Sequence, residues 1–433
     1  GYYLSLIRYK KHSINFLKVS IMKKAFYMMA AAAIALSSCS SEETTDVAKS
    51  SAITFRPTVS YNSRGAELKI DNLQKMWVSA FYNKKANTES YGKAYFENAL
   101  FTKGTEINGF IDPTSTLVWQ KDKSYKFVAI SPEANDWSAE SSSITLDDVK
   151  FTKVTPAKTI KDQKDLILGT ATGTETNTND IAGVTLNLDH VLSQIKIQVK
   201  NQNPSLEYHI KGIRIASVHE SGTYTNSTGN WTDLGAKTKY EVIFDNPIKL
   251  EEGATPTDLT DKLAVAPATD CGAMLVPQTF DAWAGTKDKS GDNYDNGAYI
   301  SLLLNVKNKV TGKYMYPFNA GAAGECGWAA VAIPVSTKGA AKPEWLKGNK
   351  YIYTLDLSKG CGKVDPVKPE EKDDNPIVKP GVDGNPDKGE NIFGELIAFK
   401  VTVNKWTENT INIDGTTGTI PTTQPGSSPA KKK

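Results

Sequence analysis

Residues 52–65 read AITFRPTVSYNSRG, and this stretch decides how the rest of the chain is interpreted. Ile53, Phe55 and Val59 alternate with polar residues, as in a strand that has one buried face. Pro57 takes the remaining place on that face. The stretch therefore predicts a half-buried strand that is followed by a turn.

The same pattern returns near the other end of the chain, in residues 395–406, ELIAFKVTVNKW. The apolar positions of this second stretch are Ile397, Phe399, Val401 and Val403. The two apolar faces read Ile-Phe-Pro-Val and Ile-Phe-Val-Val at the same spacing, and each stretch has a basic residue after its Phe. This likeness raises the hypothesis that the last strand of one copy fills the groove of the first strand in another copy.

Length and charge set broad limits on the function. The chain has 433 residues, which is enough for two domains, and its formal net charge is +3. The first 38 residues contain six Lys and Arg and no acids, so the remainder is slightly acidic. A near-neutral body argues against nucleic acid as the partner.

The N-terminus has the pattern of an export signal. Residues 1–21 begin with Gly, and we interpret them as an upstream extension before Met22. In residues 22–38 two lysines precede an apolar run that is too short to span a bilayer, as in a signal peptide. The run ends in Leu-Ser-Ser before Cys39, which resembles a bacterial lipobox. We therefore expect lipidation at Cys39 and a tether over residues 39–50, the alternative being an ordinary cleaved signal with an incidental Cys.

The sequence offers no catalytic, cofactor-binding or metal-binding motif. Cys271, Cys326 and Cys361 each precede Gly, and they form no CxxC pair and have no His at ligand spacing. A disulfide between two of them stays open as an alternative to thiols. His190 follows Asp189 at an interruption between two strand patterns, which favours a hydrogen-bonded structural role. We predict that the protein is not an enzyme.

Most of the body reads as short strands between turn clusters, without a sustained helical period. Residues 51–190 and residues 191–360 have the same texture. The irregular loops favour a β-sandwich over a barrel. The sequence therefore predicts an all-β protein with two tandem β-sandwich domains.

Residues 184–199, VTLNLDHVLSQIKIQV, resemble a motif of the fimbrillins, the type V pilus subunits of Bacteroidales. Other stretches resemble fimbrillin elements in the expected order. QKDLILG (163–169) precedes this motif, and four stretches follow it: YHIKGIRIASV (208–218), LVPQ (275–278), GNKYIYTLDL (348–357) and IAFKVTVNKW (397–406). This resemblance implies that both domains are transthyretin-like Greek-key sandwiches. It also implies a cell-surface, outer-membrane location, other pilin subunits as partners, and outer-membrane lipid bound through Cys39 before processing.

The composition changes after the second domain. Residues 361–394 are rich in Pro, Gly and charged residues, which predicts an extended linker. Residues 395–411 would then carry the donor strand. Residues 412–433 are Thr, Gly, Pro, Ser and Lys, and we expect them to be disordered.

The resemblance implies a pilus subunit that a protease cuts after an arginine. Arg56 lies inside the strand pattern and precedes proline, whereas Arg64 follows a turn and precedes Gly65, so we expect the cut after Arg64. The displaced strand of Ile53, Phe55 and Val59 would leave, and donor-strand exchange would build a filament that supports adhesion. Two alternatives stay open: a tip or accessory pilin that binds a host protein or glycan receptor, and a monomeric glycan-binding surface lipoprotein.

Overall fold

The computed structural model describes residues 52–59, 73–83, 92–104, 109–175, 183–263, 271–285, 297–318, 325–336, 340–366, 381, 384–405 and 410–416. The predicted signal peptide and tether, and the predicted site residues Cys39, Arg64 and Gly65, lie outside these residues. Within them the chain is all-β, as predicted, with three short 3-10 turns at Ala134–Trp137, Ile160–Asp162 and Thr260–Leu263. No helix in this part of the chain is long and apolar enough to cross a membrane.

The N-terminal half forms a closed seven-stranded barrel. Its strands are β1 (Thr54–Val59), β2 (Lys75–Tyr82), β3 (Lys93–Lys103), β4 (Phe110–Ile111), β5 (Ser124–Ser131), β8 (Ile167–Thr174) and β9 (Val184–His190). The order around the barrel is β1-β4-β3-β2-β5-β8-β9. Strand β9 shows why these residues form strands, because Val184, Leu186 and Leu188 are buried and the residues between them are exposed.

The C-terminal half contains two six-stranded sheets with one apolar core between them. The first sheet contains β10 (Ser193–Asn201), β15 (Gly253–Asp258), β16 (Ala273–Leu275), β22 (Asn349–Asp356), β24 (Ala398–Lys405) and β25 (Thr410–Thr416). The second contains β11 (Leu206–His219), β14 (Lys237–Leu250), β18 (Tyr299–Asn308), β19 (Tyr314–Tyr316), β20 (Gly327–Ala332) and β23 (Lys363–Val364). Two sheets packed over a shared core are the sandwich architecture that the sequence predicts.

A smaller sheet connects the two halves of the chain. It consists of β6 (Ser141–Ile144), β7 (Val149–Val154), β12 (Gly222–Thr225) and β13 (Asn230–Thr232). Strand β12 pairs with β7, so residues from both predicted domains share this sheet and the apolar cluster beneath it. A two-stranded sheet of β17 (Gln278–Thr279) and β21 (Glu344–Trp345) completes the described strands.

In the N-terminal half the strand ladder of the predicted β-sandwich closes on itself. Strand β1 causes this closure by pairing with β4 on one side and with β9 on the other. Alternation along the chain shows which residues face inward, but it is the same for a sandwich and for a barrel. The sequence therefore could not distinguish the two arrangements.

His190 has the hydrogen-bonded structural role that the sequence favours. Its Nδ1 lies 2.8 Å from Oδ2 of Asp165, and both side chains are almost fully buried. Asp165 belongs to the QKDLILG stretch, so two of the fimbrillin-like motifs meet at this hydrogen bond. Asp189, the neighbour of His190 in sequence, is exposed.

The predicted linker is partly folded, which corrects its boundaries. Residues 359–364 run antiparallel to residues 389–395, with backbone bonds such as Ile392 N to Gly362 O (3.0 Å) and Glu395 N to Lys359 O (3.0 Å). We call these two segments the ribbon. Gly360 makes the close approach feasible, since a Cβ there would lie 2.0 Å from the Glu395 carbonyl oxygen. Composition misled here because glycine and polar residues suit a tight ribbon as well as an extended chain.

A buried ion pair fixes the end of the outgoing ribbon segment. Arg214 of β11 donates from Nη1 to Oδ2 of Asp365 (3.1 Å), and these side chains are 1% and 5% exposed. Tyr299 donates its hydroxyl to the other carboxylate oxygen (2.8 Å), and the guanidinium stacks on Trp328 with 3.9 Å to the ring centroid. Such an arrangement holds residues 361–366 firmly on the sandwich.

The predicted disordered tail also begins too early. Residues 412–416 belong to β25, which pairs antiparallel with β24 from Ala398↔Thr416 to Asn404↔Thr410. The alternation of Ile411 and Ile413 with polar residues is a strand signal. The Thr- and Gly-rich composition of the surrounding tail concealed this signal.

Candidate strand-exchange site

The inner face of β1 completes the core of the barrel. Ile53 and Phe55 are 0% exposed and Val59 is 4% exposed. The ring of Phe55 lies between Phe101 of β3 and Phe127 of β5, each 4.9 Å away between centroids and nearly perpendicular to it. Edge-to-face contacts of this kind add to the gain from burial, so Phe55 is the principal apolar anchor of β1. We call the space between Phe101 and Phe127 the aromatic slot.

The backbone of β1 is held unequally along its length. It pairs parallel with β9 over five residues, from Phe55↔Val184 to Val59↔Leu188. It pairs with β4 only at Thr54 and Phe55. Within the described residues, the part after Phe55 therefore has a strand partner on one side only. This is where Pro57 lies, in keeping with the preference of proline for edge positions that need no N–H.

A tight loop supports the beginning of β1. Ile53 N donates to Leu117 O at 3.0 Å. The loop is organised by the Asp112 carboxylate, which accepts bonds from the backbone N–H groups of Thr114, Thr116 and Leu117 at 2.8, 2.8 and 3.1 Å. Burial raises the pKa of Asp112, but the hydrogen bonds from Thr114, Thr116 and Leu117 outweigh it and lower the pKa to about 2.

The outer face of β1 forms side-chain bonds with β9. Arg56 donates from Nη2 to Oγ1 of Thr185 (3.3 Å), and Thr58 donates from Oγ1 to Oδ1 of Asn187 (2.6 Å). All four side chains are exposed. Exposed hydrogen bonds of this kind contribute little stability, but they depend on register and direction.

The predicted donor strand lies in the C-terminal sandwich. Strand β24 is an inner strand there, between β22 with eight residue pairs and β25 with seven. Its predicted donor residues are buried in that core: Ile397 1%, Phe399 8%, Val401 0% and Val403 4% exposed. The structure therefore does not bring the donor residues to β1 within one chain. One apolar alternation suits either core, so the sequence could not decide between them.

Sequence reasoning did not foresee the hairpin that β24 and β25 form. Nor did it anticipate that the side chain of Gln278, in the LVPQ stretch, bonds the backbone of β11 as a neighbouring strand would. Its side chain accepts from His219 N at 2.6 Å and donates to His219 O at 3.3 Å, which secures the end of β11. A polar residue after proline in a strand-rich region was the only signal for this role.

Three cysteines lie in the described part of the chain. None of Cys271, Cys326 and Cys361 is in a disulfide. Burial raises the pKa of Cys326 to about 11, partly offset by a hydrogen bond from Asn305, so this thiol is unreactive at neutral pH. No group of three or more His, Cys, Asp and Glu side chains in this part could hold a metal ion.

Comparison with known proteins places the chain in a family. Residues 63–374 match the profile of the fimbrillin-like proteins, while β1 and β24 lie outside the matched range. No curated protein sequence matches the chain. A fimbrial protein from Bacteroides vulgatus is 16% identical, with 70% of this chain and 95% of that chain covered and a TM-score of 0.44.

A structure from Bacteroides uniformis, named for a proposed role in cell adhesion, is 12% identical, with 84% and 100% of the two chains covered and a TM-score of 0.35. A similarly named structure from Bacteroides ovatus is 12% identical, with 71% and 93% covered and a TM-score of 0.39. The profile match extends over most of the chain, and it alone carries the assignment. The chain belongs to the fimbrillin-like family.

Proposed function

We propose that this protein is a structural subunit of a type V pilus on the cell surface. It is exported as a lipoprotein precursor anchored in the outer membrane through Cys39, and it is cut between Arg64 and Gly65. Loss of β1 then opens the barrel, and β24 of another subunit fills the groove, so that subunits join head to tail and support adhesion.

The observation that carries this proposal is the position of β1 in the barrel. It is the first of the described strands and its inner face is buried, yet its second half is paired with β9 alone among those strands. Its removal would leave an apolar groove between β4 and β9, with Phe101, Phe127 and Leu186 on its floor. An open groove with unpaired strand edges is a strong association site.

The exchange is close to balanced in hydrophobic free energy. The four donor side chains of β24 each contribute roughly 1.5–3 kcal/mol where they are buried now. They would regain a similar amount in the groove of a neighbour. Cleavage drives the exchange forward. Once β1 has left, its groove stays exposed to water until a donor strand fills it.

Arg64 is the better cleavage site for a structural reason. Arg56 lies within β1, where its backbone is in the parallel ladder with β9 and its side chain bonds Thr185. A protease needs an extended, accessible backbone and cannot bind a strand inside a sheet. Proline after Arg56 adds a second obstacle.

The test is to compare Arg64→Ala with Arg56→Ala in the full chain, expressed in a pilus-forming bacterium. We expect Arg64→Ala to abolish the ladder of polymers that unheated samples show on a denaturing gel, and Arg56→Ala to preserve it. N-terminal sequencing of polymers from the unmodified chain should begin at Gly65. Polymers that begin at residue 40, or that form normally with Arg64→Ala, would refute the processing step.

Cys39→Ala tests the anchor separately. We expect this variant to lose incorporation of a labelled fatty acid and to accumulate as unprocessed precursor. Unchanged labelling would show that Cys39 is not the lipidated residue.

One observation favours a tip or accessory pilin instead. Strand β24 is an inner strand of its own sandwich, and β25 pairs beyond it, so donation requires a hairpin to leave. A subunit that receives a strand without donating one would end a filament. Immunogold labelling of native pili separates the two roles, since a shaft subunit labels along the filament and a tip subunit labels only its end.

A further inference from the structure

We infer that the groove vacated by β1 accepts β24 of a second copy in one direction only, parallel to β9, and that the aromatic slot selects this direction. The inference rests on the proposed strand exchange. Its starting point is that residues 53–59, ITFRPTV, and residues 397–403, IAFKVTV, agree on both faces. The Ile, Phe and last Val positions of the two stretches are identical, and so are Thr58 and Thr402. Arg56 and Lys400 place a basic residue at the same position.

The inner face favours the parallel direction because of the aromatic slot. If β24 enters with the direction and register of β1, Phe399 takes the place of Phe55 between Phe101 and Phe127. If β24 enters reversed, Val401 takes that place and Phe399 falls where Pro57 packs, opposite Leu186. A valine leaves much of an aromatic site empty, and a phenylalanine overfills a proline site, so both changes disfavour the reversed strand.

The outer face favours the same direction independently. With β24 parallel to β9, Thr402 lies opposite Asn187 and can donate to its Oδ1, as Thr58 does at 2.6 Å. With β24 reversed, Ala398 lies opposite Asn187, and its methyl group cannot donate a hydrogen bond. Lys400 lies opposite Thr185 in both directions and does not discriminate. Asn187 therefore adds a contact on the outside of the groove that only the parallel strand can form.

The occupant is a second copy of this chain because β24 carries the matching seven-residue pattern. The experiment co-expresses two full chains in a Cys271→Ser background, in a pilus-forming bacterium. One chain carries Asn187→Cys and the other carries either Thr402→Cys or Ala398→Cys. None of the three positions is in an apolar core. Directly opposed residues on neighbouring strands lie within the Cα separation that a disulfide needs.

We expect a disulfide-linked dimer of the two chains from Asn187→Cys with Thr402→Cys, and little from Asn187→Cys with Ala398→Cys. The slot retains its preference in these variants, since Phe101 and Phe127 are unchanged. Exchanging the two apolar residues, with Phe399→Val and Val401→Phe in one chain, should lower the first cross-link and raise the second. This exchange conserves the total side-chain volume that β24 places in its own sandwich.

The outcomes separate the inference from the proposal beneath it. A dimer mainly from the Ala398→Cys pair, or equal dimers from both pairs, would overturn the selected direction and leave strand exchange intact. Filaments without either cross-link would show that β24 is not the strand in this groove. If the unmodified chain forms no filaments, the proposed function itself fails.

Discussion

Phe55→Ala in the full-length chain should release β1 from the barrel without unfolding the rest. The ring of Phe55 is 0% exposed and makes two edge-to-face contacts at 4.9 Å, so its removal should cost about 3–5 kcal/mol. Because each 1.4 kcal/mol is a factor of ten, opening of β1 should become roughly 10²- to 4 × 10³-fold more frequent.

Hydrogen exchange followed by mass spectrometry measures this opening directly. Amides in residues 54–59 should exchange faster by that factor, while amides of β2 and β5 should stay protected. Thr58→Ala is the matched control, because it removes only an exposed hydrogen bond and should change exchange by less than about tenfold. Unchanged exchange of residues 54–59 would refute the anchoring role of Phe55. Equal acceleration of β2 and β5 would show that β1 is an inseparable part of the barrel.

Three further predictions concern single side chains. The hydrogen bonds to Asp112 lower its pKa to about 2, so the stability that its carboxylate contributes is present above pH 4 and is lost as the pH falls toward 2. Asp112→Asn should therefore make the stability depend less on pH between 4 and 2, as measured by acid unfolding followed by fluorescence. Asp165→Ala should cost about 1–3 kcal/mol, because His190 loses a buried partner, and should lower Tm by roughly 2–4 °C per kcal/mol. Iodoacetamide at pH 8 should modify Cys271 in the folded chain and reach Cys326 and Cys361 only after unfolding; rapid labelling of Cys326 would contradict its burial.

The strands could be predicted from the sequence where one face is buried and the other is exposed to solvent. Alternation in β9 and β1 identifies the buried residues correctly, and the order of motifs identifies the family. Closure of the barrel could not be predicted, since it depends on which strand pairs with β1 and not on which face is apolar.

The candidate site shows the same division between local pattern and tertiary placement. The burial of Ile53, Phe55 and Val59 follows from their spacing. The location of Ile397–Val403 in the C-terminal sandwich does not, because an Ile-x-Phe-x-Val face fits a neighbouring groove and its own core equally well. For the same reason a charge at Phe399 would disrupt the sandwich of its own subunit, and it would not test donation alone.

The ribbon and the buried Arg214–Asp365 pair have a mechanical consequence for a chain that is pulled through β24. Force would reach the returning segment first at Glu395, so the backbone bonds of the ribbon would open one at a time, beginning at Lys359. The charges of Arg214 and Asp365 are buried and fixed by Tyr299 and Trp328, so they must separate in a single costly event. Extension would therefore stop at Asp365. Before that point the load would also have to break the bonds between Asn385 and the Phe318 backbone, so the folded sandwich would take up the force in steps.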